Sequence, residues 1–387
     1  MVPMNRNHSA DDIIDDMTTT DNTNTEKKLV IHNAGIGLMG WTYMHLVKPY
    51  VFHTEPDKLH EQMVSFCKSA EKIPGLMGLL HLFTEVESGS LKRDIMGLHF
   101  MNPFGLSAGL DKTGNLTTCL DSAGWGFETV GTMTGTYSKG NPRPWYHRLP
   151  EQTALMVHAG LPSEGAEIVA KRASSAKRKH GMLLFGSVGP SNKQYENQLD
   201  GMIDDYLKAF DVINTDNGFN AIEINISCPN LQFGEPFTDA HNVNILMDEI
   251  AKRQINKPVM VKCPSFMNAA NELIPILDVL AAHAFINGVS VCNLRRDRTG
   301  LQIPDDWLGN ISGLPTQECN ENAIKLVRKN YDDRFVINGI GGTITPDDAL
   351  RKLDEGADLV SGITAFMYRG PQMMAEWKRA LIHREQK

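Results

Sequence analysis

Beyond residue 100 the chain alternates short, dense apolar runs with longer helix-like segments. The runs are PFGLSAG (103–109), FETVGTM (127–133), LLFGSVG (183–189), AIEINIS (221–227), PVMVKCP (258–264), GVSVCNL (288–294), FVINGIG (335–341) and LVSGITA (359–365). Near-continuous apolarity marks strands buried on both faces, as in parallel sheets. Eight such strands alternating with helices predict an α/β fold, a parallel (β/α)8 TIM barrel with a small N-terminal helical extension. A doubly wound open sheet is the alternative; eight strands over roughly 260 residues suit the closed barrel better.

The N-terminal third reads differently. Residues 1–28 are rich in Asp, Asn and Thr and poor in large apolar residues. They cannot bury enough surface to offset ordering, which predicts a disordered leader. Residues 29–85 form the extension. Within it, TEPDKLHEQMVSFCKSAEKI carries a helix start, with Thr54 as N-cap and Pro56 and Asp57 in the first turn. Leu59, Met63, Phe66, Cys67 and Ala70 share one face at helical spacing. GLMGLLHLF follows Pro74 as a second apolar segment. Such a cap either packs on the main domain or offers an entrance for an apolar molecule or a membrane-surface contact through residues 35–83. Residues 86–387 form the barrel.

Composition narrows the classes. The chain has 387 residues, 41% hydrophobic and 22% charged, ordinary for a soluble globular protein. A formal net charge of −8 argues against a general nucleic-acid binder. The cysteines Cys67, Cys119, Cys228, Cys263, Cys292 and Cys319 show no C-x-x-C or zinc-ligand spacing. A reducing, cytoplasmic compartment is expected. No run approaches the ~18–20 apolar residues of a membrane span.

Barrel active sites lie at the C-terminal ends of the strands. Lys112, Thr132, Ser187, Asn225 to Asn230, Lys262, Asn293, Gly341, Gly342 and Thr364 fall there. Amines, amides and hydroxyls at these positions predict a ligand-lined mouth. Glycines after strand seven, followed by a helix start at Thr343 or Thr345, favour an anion on backbone N–H groups. Lys262 closes a buried strand and needs a negative partner: a carboxylate, or the pyrimidine ring of a reduced flavin. For Lys112 a structural pair is open as well, for instance with the adjacent Asp111. Asn225, Asn230 and Asn293 can read the amides of a planar heterocycle. Cys228, in EINISCPN, reads as a core thiol, a metal ligand or a reacting group; the absence of partner spacing disfavours the metal.

Together NPFGLSAGLDKTGN, VGTMTGTYSKGNPRPWYHRLPE, EINISCPN, VMVKC, VCN, ISGLP, INGIGG and ITAFMYRGP resemble dihydroorotate dehydrogenase, from about residue 45 to about 380. MHLVKPYVFHTEPDKLHEQM is similar to the helical extension of the membrane-associated class 2 members, which pass electrons to a quinone. The resemblance implies FMN as cofactor, dihydroorotate and orotate as substrate and product, and a monomer at the cytoplasmic face of the membrane or in the cytoplasm. It places Ala108, Gly109, Lys112, Thr132, Ser187, Asn225, Lys262, Cys292, Gly313, Gly342, Ile363 and Thr364 against FMN. Lys112, Asn225, Asn230, Asn293, His158 and Leu161 would hold the substrate. Cys228 would be the base, on a loop whose continuation, 230–241, is a lid.

The sequence also departs from the family pattern. Class 2 members carry a serine base; cysteine marks class 1. The segment NLQFGE lacks the family's Pro-Gly. Val157 stands where a substrate-binding asparagine is expected, and Leu294 where a hydroxyl residue is. Ser187 and Cys292 replace an asparagine and a threonine near FMN. These changes admit a related flavin oxidoreductase acting on another cyclic amide or acid, or a low-turnover FMN-binding protein. Retention of Cys228, Lys112, Lys262 and the three asparagines argues for turnover.

Overall fold

The computed structural model describes residues 35–266 and 268–386. The leader expected over residues 1–28 lies outside the described residues. Each of the eight apolar runs supplies one barrel strand: β1 (Phe104–Leu106), β2 (Phe127–Thr134), β3 (Leu183–Gly189), β4 (Ala221–Asn225), β5 (Val259–Lys262), β6 (Ile286–Val291), β7 (Val336–Ile340) and β8 (Leu359–Gly362). Every neighbouring pair is parallel, and β8 closes on β1. The expected (β/α)8 barrel is therefore the observed fold.

The barrel interior is built in layers of different chemistry. At the bottom, Phe127, Phe185, Ala221, Met260 and Leu359 pack with Phe100 from a short hairpin that plugs the base. Above them the interior turns polar. Ser290 Oγ donates to Glu223 Oε2 at 2.8 Å, Asn338 Nδ2 to Ser290 Oγ at 3.2 Å, and Ser361 Oγ to Asn338 Oδ1 at 3.0 Å. Most buried polar groups are partnered, though Glu223 Oε1 in this layer has no partner among the described residues. This layer lies just beneath the strand ends that carry Asn225 and Lys262, whose registers pair directly.

Two additions cover the mouth. A three-stranded antiparallel sheet joins Tyr146–Leu149, Ala154–Val157 and Asn310–Gly313. The extension lies beside it. Residues 35–42 are helical, a π-turn over Tyr43–Val47 leads into α1 (Lys48–His53), and α2 (Pro56–Ala70) and α3 (Leu76–Thr84) follow. The N-cap of α2 is Glu55, not Thr54. Thr54 instead turns its hydroxyl back to Tyr50 O at 2.9 Å, because Pro56 at the first helical position sets the boundary one residue later.

Several polar contacts tie the extension to the barrel, among them Arg148 Nη1 to Thr54 O and Tyr43 Oη to Met367 O. Asp57 Oδ2 accepts from the N–H groups of Trp145 (3.0 Å) and Tyr146 (3.3 Å). His60 Nε2 donates to Leu110 O at 2.7 Å, and Thr84 Oγ1 to Ser122 O at 3.1 Å. Of fifteen exposed large apolar side chains among the described residues, ten lie between Leu38 and Leu82. Phe66 of the predicted apolar stripe is one of them, at 68% exposure. No helix among the described residues is long and apolar enough to cross a membrane.

Candidate functional site

One continuous cavity of about 1020 Å³ runs from the extension into the barrel mouth. Its outer half is an apolar funnel between α1, α2 and α3; its inner half is lined by the strand ends. That volume is at the upper end for small-molecule sites and accommodates more than one compact ligand. Ala108, Gly109, Lys112, Thr132, Leu161, Asn225, Cys228, Asn230, Lys262, Asn293, Gly342, Ile363 and Thr364 all line it. His158, Ser187, Cys292 and Gly313 do not; each stands behind the wall.

Of these four, Ser187 backs a lining residue, Thr132, and the other three pack behind the wall. Ser187 Oγ lies 3.1 Å from Thr132 Oγ1. Cys292 is buried against Cys319; that contact, then burial, pushes its thiol up. Gly313 takes φ +102°, and a side chain there would sit 2.5 Å from Thr153 O. His158 approaches Asn141 Nδ2 at 3.4 Å, and burial holds its imidazole below the usual range.

The three asparagines are fixed by the protein itself. Asn293 Nδ2 donates to Ser227 O and Oγ at 3.0 and 2.8 Å. Ser227 Oγ donates to Asn225 Oδ1 at 2.6 Å, and Asn225 Nδ2 to Thr132 Oγ1 at 2.7 Å. One chain of hydrogen bonds thus crosses the mouth from β6 to β2. Asn230 is held apart from it: Nδ2 donates to Val157 O at 3.1 Å and Oδ1 accepts from Asn310 Nδ2 at 2.8 Å. Among the described residues nothing donates to Asn293 Oδ1, which leaves that acceptor for a ligand.

Lys262 is 4% exposed, and its ammonium makes no hydrogen bond among the described residues. Burial lowers its pKa, while Glu223 and Cys228 pull it back up. A buried cation that opens on a cavity without a bonded partner fits an electron-rich ligand. Lys112 is bonded, but not to Asp111. Its Nζ donates to Gly109 O and to Tyr146 Oη. Asp111 is occupied by the backbone N–H groups of Thr113, Gly114, Asn115 and Leu116.

Cys228 is partly exposed in the wall, directly after the β4 end. Burial pushes its thiol up to about 11; the Asn230 backbone lowers it, Glu235 raises it, and Lys262 and Arg296 lower it. The segment after it holds only a 3-10 turn, Pro236–Thr238, before helix Ala240–Ala251 and covers most of the expected lid over 230–241. Glu235 pairs with Arg296 across the mouth, and Phe237 is buried edge-on against Tyr206.

The anion reading for the last two strands needs one change. Helix Pro346–Asp354 is closed by its own capping box, Thr345 with Asp348. Asp348 Oδ2 takes the N–H groups of Ile344 and Thr345, so that helix start is already neutralised. The N–H groups of Gly342 and Thr343 have no partner among the described residues, and both residues line the cavity. Gly342 takes φ +66° with Gln317 Cα 2.4 Å from where a Cβ would lie, so only glycine fits.

Three lining residues were not singled out by sequence. His60, Tyr146 and Arg148 ring the neck and funnel. Burial and Lys112 hold the His60 imidazole down to about 4. It is therefore neutral near pH 7, with Nε2–H given to Leu110 and Nδ1 an acceptor. Arg148 Nε and Nη2 are buried without partners. One signal was available for His60: it falls on the apolar stripe of α2 with Met63, Cys67 and Ala70, where a polar residue needs a reason.

A closed (β/α)8 barrel with an unpaired lysine, an amide network and a thiol at the strand ends defines a barrel enzyme with a cofactor-sized mouth. The comparisons narrow this class. The family model described as dihydroorotate dehydrogenase matches residues 90–384. The quinone dihydroorotate dehydrogenase of Christiangramia forsetii is 31% identical over 88% of this chain and 99% of its own. That of Salinispora arenicola is 31% identical over 86% and 96%. A crystal structure of the Eimeria tenella enzyme with ferulenol superposes with a TM-score of 0.71 at 22% identity, covering 86% of this chain and 92% of that one. The chain belongs to the dihydroorotate dehydrogenase family, a family of flavin-dependent oxidoreductases.

Proposed function

We propose that the protein binds FMN in the barrel mouth, oxidises dihydroorotate to orotate in pyrimidine biosynthesis, and delivers the electrons to a quinone. The observation that carries this reading is the single cavity joining an apolar funnel to the Lys262 and Cys228 mouth. The names of the curated relatives support the quinone.

The residues present suit FMN. The Lys262 ammonium would face the isoalloxazine pyrimidine ring, and the free N–H groups of Gly342 and Thr343 would meet the phosphate. Bound there, the flavin supplies hydride acceptance and then two-electron transfer to the quinone. Cys228, as thiolate, takes a proton from one substrate carbon; the neighbouring carbon loses hydride, and a C=C bond forms. Lys112 would meet the substrate carboxylate, and Asn293 Oδ1 a ring N–H. In the funnel, the unpaired Arg148 N–H groups and His60 suit the carbonyl oxygens of a quinone. The ten exposed apolar side chains of the extension would rest on a membrane surface, giving a peripheral monomer.

Val157 and Leu294 line the same cavity as Cys228. Their apolar side chains favour a second reading, in which the ring carries fewer polar edges than dihydroorotate. Two measurements decide: FMN released on denaturation, and dihydroorotate-dependent quinone reduction. Stoichiometric FMN with turnover supports the first reading. FMN without turnover supports the second, and a colourless protein that takes up no FMN contradicts both.

A further inference from the structure

Lys112 and the extension are joined through Tyr146. Lys112 Nζ donates to Tyr146 Oη and stands 5.1 Å from the centre of its ring. Tyr146 opens strand Tyr146–Leu149 at the neck of the cavity, where the funnel meets the mouth. The backbone at this point is gripped by Asp57, which accepts from Trp145 N and Tyr146 N.

Asp57 is 3% exposed, and its Oδ1 has no partner among the described residues. No cation pairs with it there. Its charge rests on two backbone N–H groups and the N-terminus of α2, where it occupies the first turn. A buried carboxylate this sparsely partnered is costly. The structure accepts that cost where the extension meets the strand that holds Lys112, a junction that Arg148 Nη1 shares by donating to Thr54 O. From the same helix His60 bonds Leu110, two residues before Lys112.

We propose that Tyr146 is a positioning residue for Lys112, and that Asp57 seats Tyr146, so that docking of the extension sets how well the mouth holds an anionic substrate. A lysine with only the Gly109 carbonyl as partner has a long flexible stem to order on binding. With Tyr146 in place the ammonium is ordered before the carboxylate arrives. Binding should then suffer from its loss more than the chemical step. The proposal rests on the reading that Lys112 meets the substrate carboxylate.

The test uses full-length, FMN-loaded protein and the variants Tyr146→Phe, Asp57→Ala, Asp57→Asn and Tyr146→Phe/Asp57→Ala. Flavin content and melting temperature establish that each is folded. Anaerobic reduction by dihydroorotate, without quinone, gives a substrate Kd and a limiting rate. Tyr146→Phe should raise Kd about tenfold, the loss of one charge-assisted hydrogen bond, with the limiting rate little changed. Asp57→Ala should raise Kd several-fold although it touches no ligand. Asp57→Asn, which keeps an acceptor oxygen, should restore most of that loss. The double variant should be no worse than Tyr146→Phe alone. Additive effects, or an unchanged Kd in Asp57→Ala, would overturn the link to the extension. A second readout needs no substrate: acylation of Lys112 by acetic anhydride, followed by peptide mass mapping. Faster acylation in Tyr146→Phe and in Asp57→Ala supports positioning even if dihydroorotate proves the wrong substrate; unchanged rates overturn it.

Discussion

Cys228 and Lys262 set the acid–base character of the mouth. With its thiol pushed up to about 11, Cys228 is protonated near pH 7, and only its minor thiolate fraction can take a proton. The rate of flavin reduction by dihydroorotate should therefore climb about tenfold per pH unit on the alkaline side of neutrality. Anaerobic rapid mixing from pH 6 to 10 measures this, and a flat profile would mean a different base. Cys228→Ala should slow reduction by about 10²–10⁴-fold while FMN stays bound. Lys262→Met removes the buried cation that lowers the Cys228 thiol and would face the flavin, so FMN content and reduction rate should fall together. These residues were legible in the sequence because a buried strand that ends in Lys or Asn is not what packing selects. Tyr146, His60 and Arg148 were not. Each sits in an ordinary local setting and gains its role only where the extension and an inserted strand meet the barrel.

At the scale of elements, the parallel strands were readable because burial on both faces writes a continuous apolar run. The antiparallel sheet over the mouth was not, because its strands span four residues each and mix buried with half-exposed positions. For the expected anion site, Asp348 closes the helix that follows, which leaves the N–H groups of Gly342 and Thr343 as the donors without a partner among the described residues. Docking of α2 carries a pH prediction. The folded His60 sits at about 4, against about 6.5 in an unfolded chain. Between those values the unfolded state binds more protons. The stability that His60 contributes is full above about 6.5 and is lost as pH falls toward 4. Melting curves from pH 7.5 to 4.5 should show less acid loss in His60→Gln than in the native chain. Equal losses in the two would place the acid sensitivity elsewhere.

Over the whole molecule, the cavity joins two environments that two half-reactions require. The polar mouth is built by strand ends on a rigid barrel, and the apolar funnel by thin helices that leave much of their surface uncovered. That surface predicts vesicle binding. Leu38 and Leu46 are 66% and 62% exposed, so Leu38→Glu/Leu46→Glu should reduce flotation with phospholipid vesicles and leave reduction by dihydroorotate unchanged. Full flotation by the variant would show that other residues meet the lipid. The central claim is that one site takes electrons from dihydroorotate and releases them through the funnel. Anaerobic mixing of the FMN-loaded protein with dihydroorotate tests it most directly. Bleaching of the flavin absorbance is expected, then its return on adding a short-chain quinone but not fumarate. A fully loaded protein that dihydroorotate does not bleach would contradict it.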